Sequence, residues 1–350
     1  MRVLYFGTYE RGYPRNAQVI SCLRRAGVDV VERHASVWEG SEHKFAAGAG
    51  SAFRLAAAEL SLLLRRDDDF DVLVVGYPGH FDLAAAKRVA RGRPIVFNPL
   101  VSLADTFVED RRRFRPGSAP ARVLERIDRA AFRTADLVVA DTEAQADLFR
   151  TLGARRVEVC FVGAEERVFG PGWKPAADFV ALFVGKLIPL HGIETILAAA
   201  RLSPDIAFRV VGSGQLDDVL AARPANVEWV RWIDYELLAG ALHACGCALG
   251  IFGTSAKAGR VIPNKVFQAL ACGAPTVTAD TRAVRELLDE RSAVLVPPGD
   301  AAALAEGIGR LAADPELAAR TAAAGLDAYR RNASEEILGA RWRALLESLQ

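Results

Sequence analysis

Short apolar, β-branched runs alternate along this chain with alanine- and leucine-rich stretches whose apolar positions recur every three or four residues. In the first half the runs are VLYFG (3–7), VDVVER (28–33), DVLVVG (71–76), PIVFN (94–98), DLVVAD (136–141) and VEVCFVG (157–163). The second half repeats the scheme with FVALFVG (179–185), FRVVGSG (208–214), VEWVRW (227–232), CALGIFG (247–253), APTVTAD (274–280) and SAVLVPPGD (292–300). A run that is apolar at successive positions is a strand buried on both faces. Helical spacing between such runs supplies crossovers, so the pattern predicts parallel sheets covered by helices. One crossover, AQVISCLRRAG, closes on Gly27, a residue suited to a helix end.

Between the halves RVFGPGWKPAAD (167–178) has no apolar period and is rich in Gly and Pro, which marks a linker. Two doubly wound α/β domains are expected, residues 1–168 and 169–333, with a cleft between them. Ligands of such sheets bind beyond the carboxyl ends of strands, so functional residues should follow strands in both halves. The last stretch, 334–350, is amphipathic through Ile337, Leu338, Trp342, Leu345 and Leu346. The pattern alone allows it to pack on either domain.

Composition and charge narrow the picture. The chain has 350 residues, 51% hydrophobic and 25% charged, the balance of a packed soluble protein. A net charge of +1 provides no general field for nucleic acid. No run approaches the roughly 18 apolar residues of a membrane span. The opening MRVLYFGTYE enters a strand pattern without a basic leader. A cytoplasmic location is expected. The basic residues at 111–113 and 122–126 are open to contact with an anionic membrane face or to plain solvation. Five scattered cysteines (22, 160, 245, 247 and 272) lack metal-ligand spacing and are expected as small buried residues.

Candidate chemistry starts from one oddity. The helix expected from Asn264 to Cys272 opens on Lys265, a cation at the positive end of the helix dipole. A bound phosphate would reverse the sign, because the unpaired N–H groups of a first turn and a lysine can share one anion. Lys186, in Gly185-Lys186 after a strand, and His191, before Gly192 and another helix, are candidates for the same anion. Gly212-Ser213-Gly214 lacks the third glycine of a dinucleotide fingerprint. It is either a close backbone approach to a ligand or a strand-to-helix turn. The run Asp67-Asp68-Asp69-Phe70-Asp71 precedes a strand, so its D-x-D spacings belong at the amino edge of the sheet, and a solvated loop is expected. No metal site is expected.

In order, FVGKLIPLHGIETILAAA, VVGSG, IPNKVFQALACGAPTV and AVLVPPGDAAALAEGI resemble the nucleotide-sugar half of GT-B glycosyltransferases, glycosyltransferase family 4 of the group 1 type. The likeness covers roughly residues 158–312. It extends more loosely through the first half in DLVVADTEAQADLFRTLGA and VEVCFVGAEERVF, and the short FGTYERGYPRN resembles the first strand and loop of one bacterial branch of such enzymes. The resemblance implies a GT-B fold of two Rossmann-like domains, the first binding the acceptor and completed by the terminal helix, the second binding the donor. It implies a retaining, metal-independent hexosyl transfer from a nucleotide-diphosphate sugar to an acceptor hydroxyl, with no cofactor. The acceptor class stays open among lipid-linked sugars, polysaccharides and small molecules. A binding protein without catalysis and a sugar-nucleotide epimerase are the rival readings.

By that resemblance Lys186 and Lys265 are the catalytic cations on the diphosphate. His191 stands where the family usually has a lysine. Gly12, Gly212 and Gly214 line the donor pocket, the first turn at Asn264 and Val266 joins them, and Ile233 meets the base. The family's two glutamates align with Arg260 and Gln268. Arg260 cannot act as a carboxylate, whereas Gln268 can still bond a ribose hydroxyl as a neutral group. On the acceptor side the candidates are Tyr9, Arg11, Ser102 and Asp105, with Asp110 a weaker one. For Ser102 and Asp105 a helix-capping role is the alternative. The stretch 97–106, where many members place a histidine, has none.

Overall fold

A computed structural model describes residues 1–37, 49–64, 69–175 and 178–350. It divides into two compact units. The first holds 1–108, 112–162 and 335–350; the second holds 109–111 and 163–334.

The first unit runs β1 (Arg2–Gly7), α1 (Pro14–Arg25), β2 (Asp29–His34), α2 (Ala49–Leu64), β3 (Val72–Val75), α3 (Leu83–Ala90), β4 (Ile95–Phe97), α4 (Ala119–Thr134), β5 (Leu137–Ala140), α5 (Glu143–Thr151) and β6 (Val157–Val159). A π-helical turn, Asp105–Asp110, precedes α4. The second unit continues with β7 (Val180–Val184), α6 (Ile193–Leu202), β8 (Ala207–Val211), α7 (Asp217–Ala221), β9 (Val227–Val230), α8 (Leu238–Ala244), β10 (Cys247–Leu249), α9 (Asn264–Cys272), β11 (Thr276–Ala279), β12 (Val294–Val296), α10 (Ala301–Ala313) and α11 (Pro315–Asn332). The terminal helix α12 (Glu335–Glu347) belongs to the first unit.

Each unit carries one six-stranded sheet, in the orders β2-β1-β3-β4-β5-β6 and β12-β11-β10-β7-β8-β9. Every strand pair is parallel. All twelve apolar runs became strands, most of them shorter than the run where the chain turns into a loop. Strands such as β3 and β5 are buried at every position, which is why they read as continuous apolar runs.

Helix ends follow local chemistry. Ser118, Thr142, Asp300 and Asp314 accept a first-turn backbone N–H at the starts of α4, α5, α10 and α11. Helix α9 instead begins after Pro263, without a side-chain cap. Its last turn ends on Gly273 in the left-handed region (φ 72°). Helix α12 lays Leu338, Trp342, Leu345 and Leu346 against Val19 and Leu23 of α1. Gly339 lets the two helices approach closely, since a Cβ there would come within 2.6 Å of the Cys22 carbonyl oxygen.

All five cysteines are free and buried. Asp71 accepts the Arg2 N–H (2.7 Å) at the amino end of β1 and β3. That places this end of the acidic run at the amino edge, whereas Asp67 and Asp68 lie outside the described residues.

Candidate functional site

In the second sheet β7 and β10 are neighbours from which the chain order runs in opposite directions. Crossovers leave the two strands on opposite sides, so their loops diverge and a crevice opens at the carboxyl ends. Three segments meet there: the loop 185–192 after β7, the loop 250–254 after β10, and the start of α9. The Phe252 N–H donates to the His191 carbonyl (3.1 Å). A Cβ on Gly192, at φ 66°, would come within 2.6 Å of the Gly253 nitrogen.

Lys265 does not reach into water. Its Nζ is buried without a hydrogen-bond partner and sits 3.7 Å from the centre of the Phe183 ring of β7. Gly185 makes the space, because a Cβ there would stand 2.6 Å from Nζ. Burial alone pushes the Lys265 amine well below the usual lysine range. Magnitudes agree with that direction. A desolvated cation–π contact gives back about 2 kcal/mol, whereas burying an unpaired ammonium costs several kcal/mol. The balance shifts toward the neutral amine.

His191 is buried beside it. Its Nδ1–H donates to the Lys186 carbonyl, which directs Nε2 away from that loop. Burial is the main cause that pushes the His191 imidazole down, with Arg111 and Lys257 adding to it. Both groups are therefore poor cations in the ligand-free protein and would gain from an anion. Lys186 is exposed. Lys257 faces Asp110 at 3.7 Å, with both side chains nearly buried.

The glycines after β8 have a packing reason. A Cβ on Gly212, at φ 132°, would overlap the Gly185 carbonyl oxygen, and one on Gly214 would come within 2.7 Å of the Leu187 carbonyl oxygen. Gly214 also donates its N–H to Asp217 Oδ1 (2.6 Å). These two residues hold the 185–187 loop against β8. Val266 is fully buried and Asn264 half-buried in the first turn of α9.

One turn further along α9, Gln268 is buried, with the Tyr235 side chain beside it. The Tyr235 hydroxyl also donates to Glu165 Oε1 at 3.3 Å. Desolvation raises the Glu165 carboxyl, and Arg167 (3.3 Å) only partly offsets it. A neutral amide thus stands one hydroxyl away from a carboxylate. Tyr235 and Glu165 lie within the span of the resemblance, which assigns neither of them a role. After β9, Ile233 is half-buried and Trp232 is 77% exposed, its Nε1–H donating to Asp234. Arg231 stacks on Trp229 and pairs with Asp217. Arg260 ends a short 3-10 turn that leads into the loop before α9.

In the first unit, order reverses between β1 and β3. After β1, Tyr9 is buried against Tyr5 and His34, and its hydroxyl donates to Glu32. Arg11 pairs with the same carboxylate at 3.2 Å, so both side chains are tied to β2. Gly12 is exposed, and a Cβ there would meet nothing within 4 Å. Ser102 is buried, donates to Asp128 Oδ2 (2.7 Å) and accepts the Asp105 N–H (3.1 Å). That is the capping alternative for Ser102; Asp105 is buried in the same turn. A histidine does follow a strand in this unit, at His80 after β3. It is buried 3.4 Å from Asp128, and desolvation lowers it against the pull of that carboxylate. The spacing VVGYPGH held the signal for it.

Two family profiles cover most of the chain. One described as glycosyl transferase 4-like domain matches residues 2–164, and one described as glycosyl transferases group 1 matches residues 178–314. The chain belongs to the group 1 glycosyltransferases. Its fold is GT-B, as in solved structures that it resembles along its whole length. Sucrose-phosphate synthase from Thermosynechococcus elongatus is similar at a TM-score of 0.76 and 17% identity, over 99% of this chain and 98% of that one. Alr3699/HepE of Anabaena, solved with UDP-glucose, is similar at 0.69 and 17%, over 99% and 100%. Among curated relatives, the chain is 29% identical over 163 residues to a phosphatidyl-myo-inositol mannosyltransferase of Mycobacterium leprae, 45% of this chain and 43% of the relative. It is 26% identical over 306 residues to a D-inositol 3-phosphate glycosyltransferase of Mycobacteroides abscessus, 78% of this chain and 65% of the relative. The chain thus spans less than two thirds of the length of these group 1 relatives. Among the described residues, no helix is long and apolar enough to cross a membrane.

Proposed function

We propose that this glycosyltransferase moves a sugar from a nucleotide-diphosphate donor to an acceptor hydroxyl, with retention at the anomeric carbon and without a metal. The observation that carries the reading is the meeting of Lys186, His191, Lys265 and the uncapped start of α9 at the switch point of the second sheet. Those groups fit a diphosphate.

In the reaction the bond from C1 of the sugar to the diphosphate oxygen breaks, and a bond from C1 to the acceptor oxygen forms on the same face. The acceptor proton passes to the departing phosphate oxygen, so no separate strong base is needed. Negative charge grows on the leaving diphosphate. Lys186, protonated Lys265 and the first-turn N–H groups at Asn264 and Val266 stabilise it, supplying the charge that a metal would otherwise bring. The Gln268 amide takes a ribose hydroxyl, and the segment around Ile233 takes the base. Gly12 leaves room for the substrates to approach the first unit. Acceptors can be lipid-linked, polysaccharide or small, at a cytoplasmic location that includes the membrane face.

The test is donor turnover. UDP-, GDP- and dTDP-sugars are offered with and without acceptor hydroxyls, nucleoside diphosphate release is measured, and the anomeric configuration of the product is read by NMR. Release that is lost in Lys186→Ala, with an axial donor giving an axial product, is the expected result. No release from any donor, or inversion, contradicts the proposal.

A further inference from the structure

The buried amine at the start of α9 has a consequence beyond binding. We infer that Lys265 is stored without its proton and takes one up when a diphosphate settles on the first turn of α9. The inference rests on the proposed diphosphate site and adds a proton to its binding equilibrium.

The surroundings of Nζ show why. On one side is the Phe183 ring, and above is the Gly185 backbone. Leu238 and Leu242 of α8 and Ala248 and Leu249 of β10 line the same small cavity, all apolar, and from α9 itself comes the neutral Gln268. The titratable group that faces it from the loop after β7 is His191, with Lys186 in the same loop. Arg111 and Lys257 act on His191 from further out. Asp110 is taken up by Lys257 and by Arg111 (3.8 Å). Arg111 and Lys257 are positive, Asp110 is paired, and Glu165, beyond Gln268 and Tyr235, pairs with Arg167 (3.3 Å); the helix start adds a positive dipole. A proton on Nζ is unfavourable there until an anion arrives. A diphosphate reverses each of those terms, since it brings negative charge to the helix start and gives the ammonium an acceptor.

Calorimetry reads this directly. UDP and UDP-glucose are titrated into the full chain at mildly alkaline pH, where the UDP phosphates are fully ionised, in buffers of different ionisation enthalpy. The expected result is a net uptake approaching one proton per nucleotide bound, which disappears in Lys265→Met. Met keeps the length and the apolar contact, so that variant is expected to fold. Binding heats independent of buffer overturn the inference while leaving the donor site standing. Uptake that persists in Lys265→Met but vanishes in His191→Asn also overturns it, in favour of the imidazole. No binding of UDP, UDP-glucose, GDP or dTDP overturns both this inference and the site on which it rests.

Discussion

The Lys265 amine lies 3.7 Å from the centre of the Phe183 ring and has no hydrogen-bond partner. A polar group held that way costs the fold stability, and on the proposed diphosphate site it serves the ligand. Lys265→Met should therefore stabilise the ligand-free protein, by about 1–3 kcal/mol at neutral pH, the usual cost of a buried unsatisfied polar group. The sign with pH follows from the lowered amine. Between its folded value and about 10.4, the unfolded chain binds more protons than the native one, so wild-type stability rises with pH across that window. The advantage of the Met variant should shrink in step. Denaturant melts of both proteins from neutral to alkaline pH check this, and an advantage that is flat with pH contradicts it.

Two glycines that the resemblance assigns to the donor should behave oppositely. Gly212→Ala places a Cβ on the Gly185 carbonyl at a φ of 132°. It should cost about 2–4 kcal/mol through strain and displacement of the 185–187 loop. Gly12→Ala meets nothing, so its stability should change by no more than about 0.5 kcal/mol. Its donor KM should rise where the bare backbone makes room for substrate. Thermal melts and initial-rate kinetics on the pair separate packing from binding.

Gln268 is buried and neutral on the α9 side of Tyr235. Gln268→Glu places an acid in a buried position beside Tyr235, which already bonds Glu165. It should destabilise the fold by about 1–3 kcal/mol at neutral pH. The loss should ease in mild acid, because a carboxyl raised by burial is neutral below its folded value. Urea denaturation at both pH values tests the sign.

Trp232 is 77% exposed next to Ile233. An indole so placed is available to stack on a nucleobase, a contact that typically contributes about 1–3 kcal/mol. Trp232→Ala should weaken nucleotide binding by roughly 5- to 150-fold, with kcat and melting temperature little changed. Equal KM values for the two proteins would remove Trp232 from the donor site.

Much of the architecture was legible because parallel strands buried on both faces leave continuous apolar runs in the sequence. Helix α9 was legible for the same kind of reason, from its apolar period between Pro263 and Gly273. What Lys265 does was not. Its partner in contact, Phe183, is remote in sequence, and only the tertiary fold brings the ring beneath the amine. Gly212 and Gly214 read either as a close approach to a ligand or as a turn, and the structure adds that their missing side chains seat the neighbouring loop. Ser102 read as a site residue or a cap, and the structure adds that its hydroxyl donates to Asp128, brought alongside from α4. His80 lay in a strand-following loop that the motif comparison passed over.

The most direct test of the account is the melting temperature of the full chain with UDP-, GDP- and dTDP-sugars. Binding of any one at a hundred times its dissociation constant adds about 2.7 kcal/mol to stability. The account predicts a rise of several degrees with at least one of the three in the wild type, largely lost in Lys186→Ala. No rise with any of them, or an undiminished rise in that variant, would contradict the assignment of the diphosphate site.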